Sequence, residues 1–165
     1  MKKFLLIALS LLMLVCFVGC GGNDDAVVPS DNAVASVNVD LNAVLEAIKT
    51  NCNLTETRTI NADSLFDIYG IAADSYKQAA CCMVPTGLFP AEVLMFEAVD
   101  AAALADISAK LDVRLREVKN QSQSYDAENY ALAQQCAVRT IGNIVVLFVS
   151  ADAAAMNSIL DSYIA

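Results

Sequence analysis

The chain has 165 residues, with 19 Asp and Glu against 10 Lys and Arg, and it contains no histidine and no tryptophan. That length fits a leader plus one compact domain, at ~100–200 residues per domain. The acidic balance disfavours nucleic acid as a partner, since binding it needs Lys and Arg to neutralise phosphates. The missing histidine excludes Ser-His-Asp and Cys-His nucleophiles and any His-ligated zinc.

Met1–Cys20 reads MKKFLLIALSLLMLVCFVGC. Two lysines, an apolar stretch from Phe4 to Val15 and small residues after it follow the order of a signal peptide. The pure apolar run is shorter than the ~20 residues of a membrane span. Its tail, Phe17 to Cys20, resembles the bacterial lipobox, in which apolar and small residues precede a cysteine. The resemblance implies cleavage after Gly19 and a diacylglyceryl thioether on Cys20, with residues 1–19 as the leader. Phe17 stands where the lipobox usually has leucine. Cys16 is the poorer anchor, because Val15 before it is bulky. Loss of Lys2 and Lys3 with the leader leaves eight basic residues against 19 acidic, a mature charge of −11. Residues 20–38 are polar, acidic and small, with Pro29 among them, and are expected to form a flexible tether. An acidic domain on such a tether stands off an anionic lipid surface rather than lying on it.

The domain is expected over residues 39–165. Leu41, Val44, Leu45 and Ile48 recur at helical spacing behind Asp40 as N-cap, predicting a helix to Asn51. A short helix follows over Asn61–Tyr69, with Gly70 as terminator. Ser75–Val84 and Glu92–Val99 read as strands around a break at Pro85–Pro90. Asp100 then caps a long helix to about Gln121, striped by Leu104, Ile107, Leu111, Leu115 and Val118. Its outer face sets Asp106 against Lys110 and Asp112 against Arg116 at i,i+4. A short helix is expected over Asp126–Gln134. Cys136–Ile141 and Asn143–Ser150 read as a hairpin turning at Gly142-Asn143, and Asp152 starts the last helix, to about Tyr163.

A shift of 52 residues places Val93–Ile107 on Val145–Ile159, with Phe96 on Phe148 and Asp100 on Asp152. The pattern predicts an α+β fold: two ββα units giving an antiparallel sheet of about four strands, helices on one face, and an N-terminal helical segment. It places Leu94, Phe96, Val146 and Phe148 together on the helix-covered side.

Cys52, Cys81, Cys82 and Cys136 follow the lipobox. In an exported domain, four cysteines suit two disulfides of undetermined pairing, and they equally suit small buried apolar groups. Adjacent Cys81 and Cys82 point to opposite faces of a strand. With no C-x-x-C present, neither a thiolate zinc site nor a redox pair is supported. Glu92 and Glu97 lie five apart on one strand and so face opposite sides, which counts against a catalytic carboxylate pair. Asp63, Asp67 and Asp74 lack calcium-loop spacing. No phosphate-binding or nucleophile-elbow motif occurs, so no catalytic residue, metal or cofactor is expected.

Tyr69-Gly70-Ile71, PTGLFPAEVLMFEA (Pro85–Ala98), the charged helix, Tyr125, Tyr130 and GNIVVLFVS (Gly142–Ser150) resemble, in order, the exported lipoproteins of the domain of unknown function 4358 family. The resemblance runs from about Leu41 to the C-terminus. It implies a lipid-anchored domain on the outer face of the membrane of a Gram-positive anaerobe, with no activity attached. The Cys81-Cys82 pair departs from that pattern. The expected role is a cell-surface binding or interaction domain, with the membrane met through the lipid on Cys20 and an envelope protein or peptide as partner. A small carboxylate-dependent envelope enzyme and a structural subunit of an envelope complex are the alternatives.

Overall fold

The computed structural model describes residues 34–85 and 91–164. Cys20, the leader and most of the expected tether lie outside these residues, as does 86–90 of the proline-bounded break.

Helix α1 (Leu41–Asn51) turns Leu41, Val44, Leu45 and Ile48 inward, and the Asp40 carboxylate accepts from the N–H groups of Asn42 and Ala43. Helix α2 (Ala62–Tyr69) is capped by Asn61 and ends at Gly70, whose φ of 69° is the left-handed conformation that favours glycine. Strand β1 (Arg58–Thr59) lies between the two helices; two residues are too few to show alternation in a sequence. A 3-10 turn (Ala73–Ser75) leads into strands β2 (Tyr76–Met83) and β3 (Glu92–Ala98). Helix α3 (Ala101–Tyr125) starts where Asp100 accepts from the N–H of Ala103, and α4 (Ala127–Gln135) starts behind Asp126. Strands β4 (Val138–Ile141) and β5 (Ile144–Val149) flank the Gly142-Asn143 turn, and α5 (Ala153–Ile164) ends the domain.

All strands pair antiparallel, in the order β1-β2-β3-β5-β4. The α+β class is as expected, with five strands in place of about four. Both ββα units are present, as β2-β3-α3 and β4-β5-α5.

The helices cover both faces of the sheet rather than one. Glu92 on β3 bonds to Arg114 of α3 and Tyr69 of α2, so Leu94 and Phe96, which share its parity, face those helices. Glu97, of opposite parity, bonds to Gln78, whose amide also meets the backbone of Val39 and Leu41 at the start of α1. Arg139 of β4 reaches Asn157 and Asp161 of α5, and Arg139 pairs with Val146, which pairs with Met95. The α1 and α5 side therefore holds Val93, Met95, Val146 and Phe148, and the α3 side holds Leu94, Phe96, Val145 and Leu147. Register sets Phe96 opposite Val145 and Phe148 opposite Val93, so the two phenylalanines lie on opposite faces. The expected grouping of Leu94 and Phe96 with Val146 and Phe148 is corrected on that point, although all four are buried. Burial from both sides explains why Val93–Phe96 of β3 and the whole of β5 are continuous apolar runs with no polar alternation.

Two ββα units whose helices leave on opposite faces, and whose outer strands lie on opposite flanks of the β3–β5 pair, have opposite hands. No rotation superposes them, and the 52-residue likeness is a shared strand-to-helix step.

Candidate functional site

Glu92 is the deepest charged group described, at 1% exposure. It opens β3, and strand parity sends its carboxylate into the layer between the sheet and α3. Arg114 lies three residues after Leu111, on the border of the apolar stripe of α3, and folds its guanidinium in to meet it. Nε donates to Oε2 at 3.0 Å and Nη2 pairs with Oε1, a two-pronged geometry that suits carboxylate recognition. The Tyr69 hydroxyl donates to Oε2 at 3.4 Å, and the guanidinium lies 6.0 Å from the centre of the Tyr69 ring. Glu117 Oε2 takes the remaining guanidinium edge at 3.4 Å. Burial, with the Glu92 charge beside it, raises the Tyr69 phenol above its usual range, so it stays a neutral donor. The Glu92 hydrogen bond holds Arg114 charged, with its pKa raised. The notch above this cluster, lined by Ile68, Tyr69, Lys110, Val113, Arg114 and Glu117, is about 100 Å³. That is small beside the ~300–1,000 Å³ of typical ligand sites.

The sequence carried a signal for this pairing. Glu92 has the parity of Leu94 and Phe96, so a strand starting there turns its carboxylate inward, where only a cation bordering the helix stripe can neutralise it.

A second polar cluster occupies the other face. Glu97 accepts from Gln78 Nε2 at 2.8 Å and Asn143 Nδ2 at 3.1 Å, with Lys77 Nζ at 3.6 Å. Asn143 Oδ1 in turn accepts the N–H of Val37 at 2.7 Å. Gln78 donates to the carbonyl of Val39 and accepts from the N–H of Leu41. These amides clasp the extended segment ahead of α1 onto the sheet. Gly142 allows it to pass: its φ is 55°, and a Cβ there would collide with the Ala35 carbonyl. Glu92 and Glu97 thus sit on opposite sides of β3, as their spacing implied, and do not converge.

The four cysteines are free thiols, Cys52 half-buried and Cys81, Cys82 and Cys136 buried. Cys81 pairs with Leu94 and faces α3, whereas Cys82 pairs with Val93 and faces α1. Burial pushes the Cys81 thiol up to about 12 from 9.0 and raises that of Cys82 as well, leaving both as neutral, unreactive thiols at ordinary pH. Among the described residues no group of three or more Cys, Asp or Glu side chains could hold a metal ion, and no helix is long and apolar enough to cross a membrane.

Two exposed apolar spots flank α2. Phe66, Ile68 and Val113 are 60%, 54% and 44% exposed. Ile68 and Val113 line the notch above Arg114, while Phe66 lines a shallow depression with Ala62, Asp63, Asp67, Ala72 and Ala73. Helix α2 gives only Leu65 and Tyr69 to the core. A surface helix of this kind normally carries polar residues at its remaining positions. The expected helix was legible in the sequence, and so was its apolar content; the outward direction of Phe66 and Ile68 was not.

The model of a family described as a domain of unknown function (DUF4358) matches residues 36–150. No curated protein and no solved structure matches the chain.

Proposed function

Because the chain belongs to the domain of unknown function 4358 family (DUF4358) over residues 36–150, and because its first 20 residues have the order of a lipoprotein leader, we propose that it is a cell-surface lipoprotein. In this reading Cys20 carries the lipid, and the domain that follows acts outside the membrane as a binding or interaction module. The partner is an envelope protein or peptide.

The observation that favours interaction over carboxylate catalysis is the state of the inward-facing carboxylates. Glu92 is saturated by Arg114 and Tyr69, and Glu97 is saturated by amides on the far side of the sheet. Acid–base hydrolysis needs two carboxyl groups facing one substrate across ~5–10 Å.

Two measurements test it. Mass spectrometry of the membrane-extracted protein should give an N-terminal Cys20 bearing a diacylglyceryl group, and Cys20→Ser should move the chain out of the membrane fraction. Cross-linking on intact cells should then join the domain to a defined envelope component. An unmodified Cys20, or wild-type fractionation of Cys20→Ser, would refute the anchor. Cross-linking that yields only monomer would refute the interaction role.

A further inference from the structure

We infer that the domain is mounted in one sense. The end of the sheet that carries the Gly142-Asn143 turn faces the membrane, and the opposite end, prolonged by the elbow between α3 and α4, is presented outward. This rests on the anchor at Cys20 read above and names the surface that the interaction role has to use.

Three observations carry the inference. First, the chain arrives at one end of the sheet and is fastened there. Register sets Tyr76 beside Ala98 and Ile141 beside Ile144 at that end, and Met83, Glu92 and Val149 at the other. Val34 and Ser36 lie against Lys77, Ala98 and Asp100 of the first end. Asn143 and Gln78 hold Val37, Val39 and Leu41 on the same end, so the point where the tether leaves is fixed by the fold. Second, α3 measures the domain from that end outward. It starts just after Ala98, and Arg114, about halfway along its 25 residues, meets Glu92 at the far end of β3. Leu115 to Tyr125 therefore run on past the level of Glu92, by up to roughly 16 Å, and the turn into α4 at Asp126 is the outermost part. Third, the tether is too short for the reverse mounting. The 14 Cα steps from Cys20 to Val34 reach at most ~50 Å. Gly21 to Ala33 is polar and small, the composition of a flexible linker, and relaxes to about 20 Å. Turning the outer end to the lipid would lift Val34 by about the length of α3, ~37 Å. That stretches the tether to nearly twice its relaxed span. A strongly acidic domain gains no attraction to an anionic surface that would offset the stretch.

The test uses the lipoprotein extracted from membranes and reconstituted in nanodiscs with an acceptor dye on the lipid headgroup. A donor dye is attached through an azide-bearing residue placed at Ala102 or at Ser124, which leaves every cysteine untouched. Both positions are exposed and both lie on α3, one near each end. We expect energy transfer from position 102 to exceed that from position 124 by at least ~2-fold, because the two sites stand about 33 Å apart along one rigid helix. A Gly/Ser insertion of about 40 residues after Ala33 should bring the ratio toward one, since the relaxed tether then matches the length of α3 at about 40 Å. The insertion lies ahead of every element of the fold and leaves the domain intact.

Equal transfer from the two positions in the native chain, or more from position 124, would overturn the mounting. An unchanged ratio after the insertion would overturn its cause, because the domain would then be adhering to lipid by a surface of its own. Flotation reads the anchor separately: a chain that does not float with the nanodiscs would remove the anchor and the mounting together, whereas a floating chain with the wrong ratio removes the mounting alone.

Discussion

β3 carries one glutamate at each end, and the two illustrate different ways of burying a carboxylate. Glu92 meets a full opposite charge, the Arg114 guanidinium, in a layer closed by Tyr69 and α3. Glu97 meets mainly amides, with the exposed Lys77 only at the margin. The first arrangement ties a strand to the helix that follows it, and its strength depends on exclusion of water. The second ties the chain ahead of α1 to the Gly142-Asn143 turn and spreads the load over several ordinary hydrogen bonds. A carboxylate held by one buried opposite charge is costly to strip of it, whereas one shared among several amide donors loses its bonds one at a time. The two ends of β3 should therefore respond very differently to single substitutions.

The sharpest way to break that contrast is Arg114→Met, which leaves Glu92 buried without a cation. We expect a loss of about 3–5 kcal/mol in urea unfolding, and recovery of most of it in the double variant with Glu92→Met, which removes both charges together. A loss below about 1 kcal/mol from the single variant would mean that water reaches Glu92 and that the two ends are alike.

Alkaline pH probes the same dry layer. Cys81 and Tyr69 both face it, and both have raised pKa values. Below pH 9 the Cys81 thiol is protonated whether the chain is folded or unfolded, and its contribution is fully present. Above pH 9 the unfolded chain loses that proton first, so stability falls as pH rises toward the folded value of about 12. The slope should approach about 1 kcal/mol per pH unit, and Tyr69 adds to it above its own ordinary range. Cys81→Ala should flatten the decline between pH 9 and 10. An unchanged slope would place the thiol in contact with solvent.

At the other end, Asn143→Ala removes the acceptor for the Val37 N–H and a donor to Glu97 together. The cost should be about 1–2 kcal/mol. Hydrogen exchange at Val37 should accelerate while the amides of β3 stay protected. If β3 loosens as well, the clasp is part of the central sheet rather than an attachment to it.

The order of elements was readable because each has a local cause: Asp40, Asn61, Asp100 and Asp126 cap helices, Gly70 stops one, and Gly142-Asn143 turns a hairpin. The class followed from that order. The placement of helices on both faces depends on which way the chain crosses the sheet after each hairpin, and nothing local records it. One clue was present in the unbroken apolar runs Val93–Phe96 and Ile144–Val149, since a strand with one wet face alternates. The Glu92–Arg114 pair joins residues 22 apart; strand parity turns Glu92 inward, but nothing local names Arg114 as its partner. The exposure of two apolar residues of α2 was hidden for a related reason. Phe66 and Ile68 look like core residues until the helix phase set by Leu65 and Tyr69 turns them outward.

The smallest expected effect uses α3 as its own control. Arg114 and Lys110 lie one turn apart, and each pairs with a carboxylate, but Lys110 pairs with the exposed Asp106 at 2.6 Å in solvent. The companion pair expected at Asp112 and Arg116 does not form, and the Arg116 guanidinium instead lies 3.4 Å from the Asp112 carbonyl oxygen. Two identically spaced pairs on different solvated flanks of α3 thus reach different arrangements, as expected where water competes well for both partners. Asp106→Asn should then cost no more than about 0.5 kcal/mol and lose even that in high salt, against several for Arg114→Met. Unfolding curves for the two variants in one buffer would measure how much more an ion pair costs to break when its carboxylate is buried. If Asp106→Asn cost as much as Arg114→Met, burial would not be the variable that separates them.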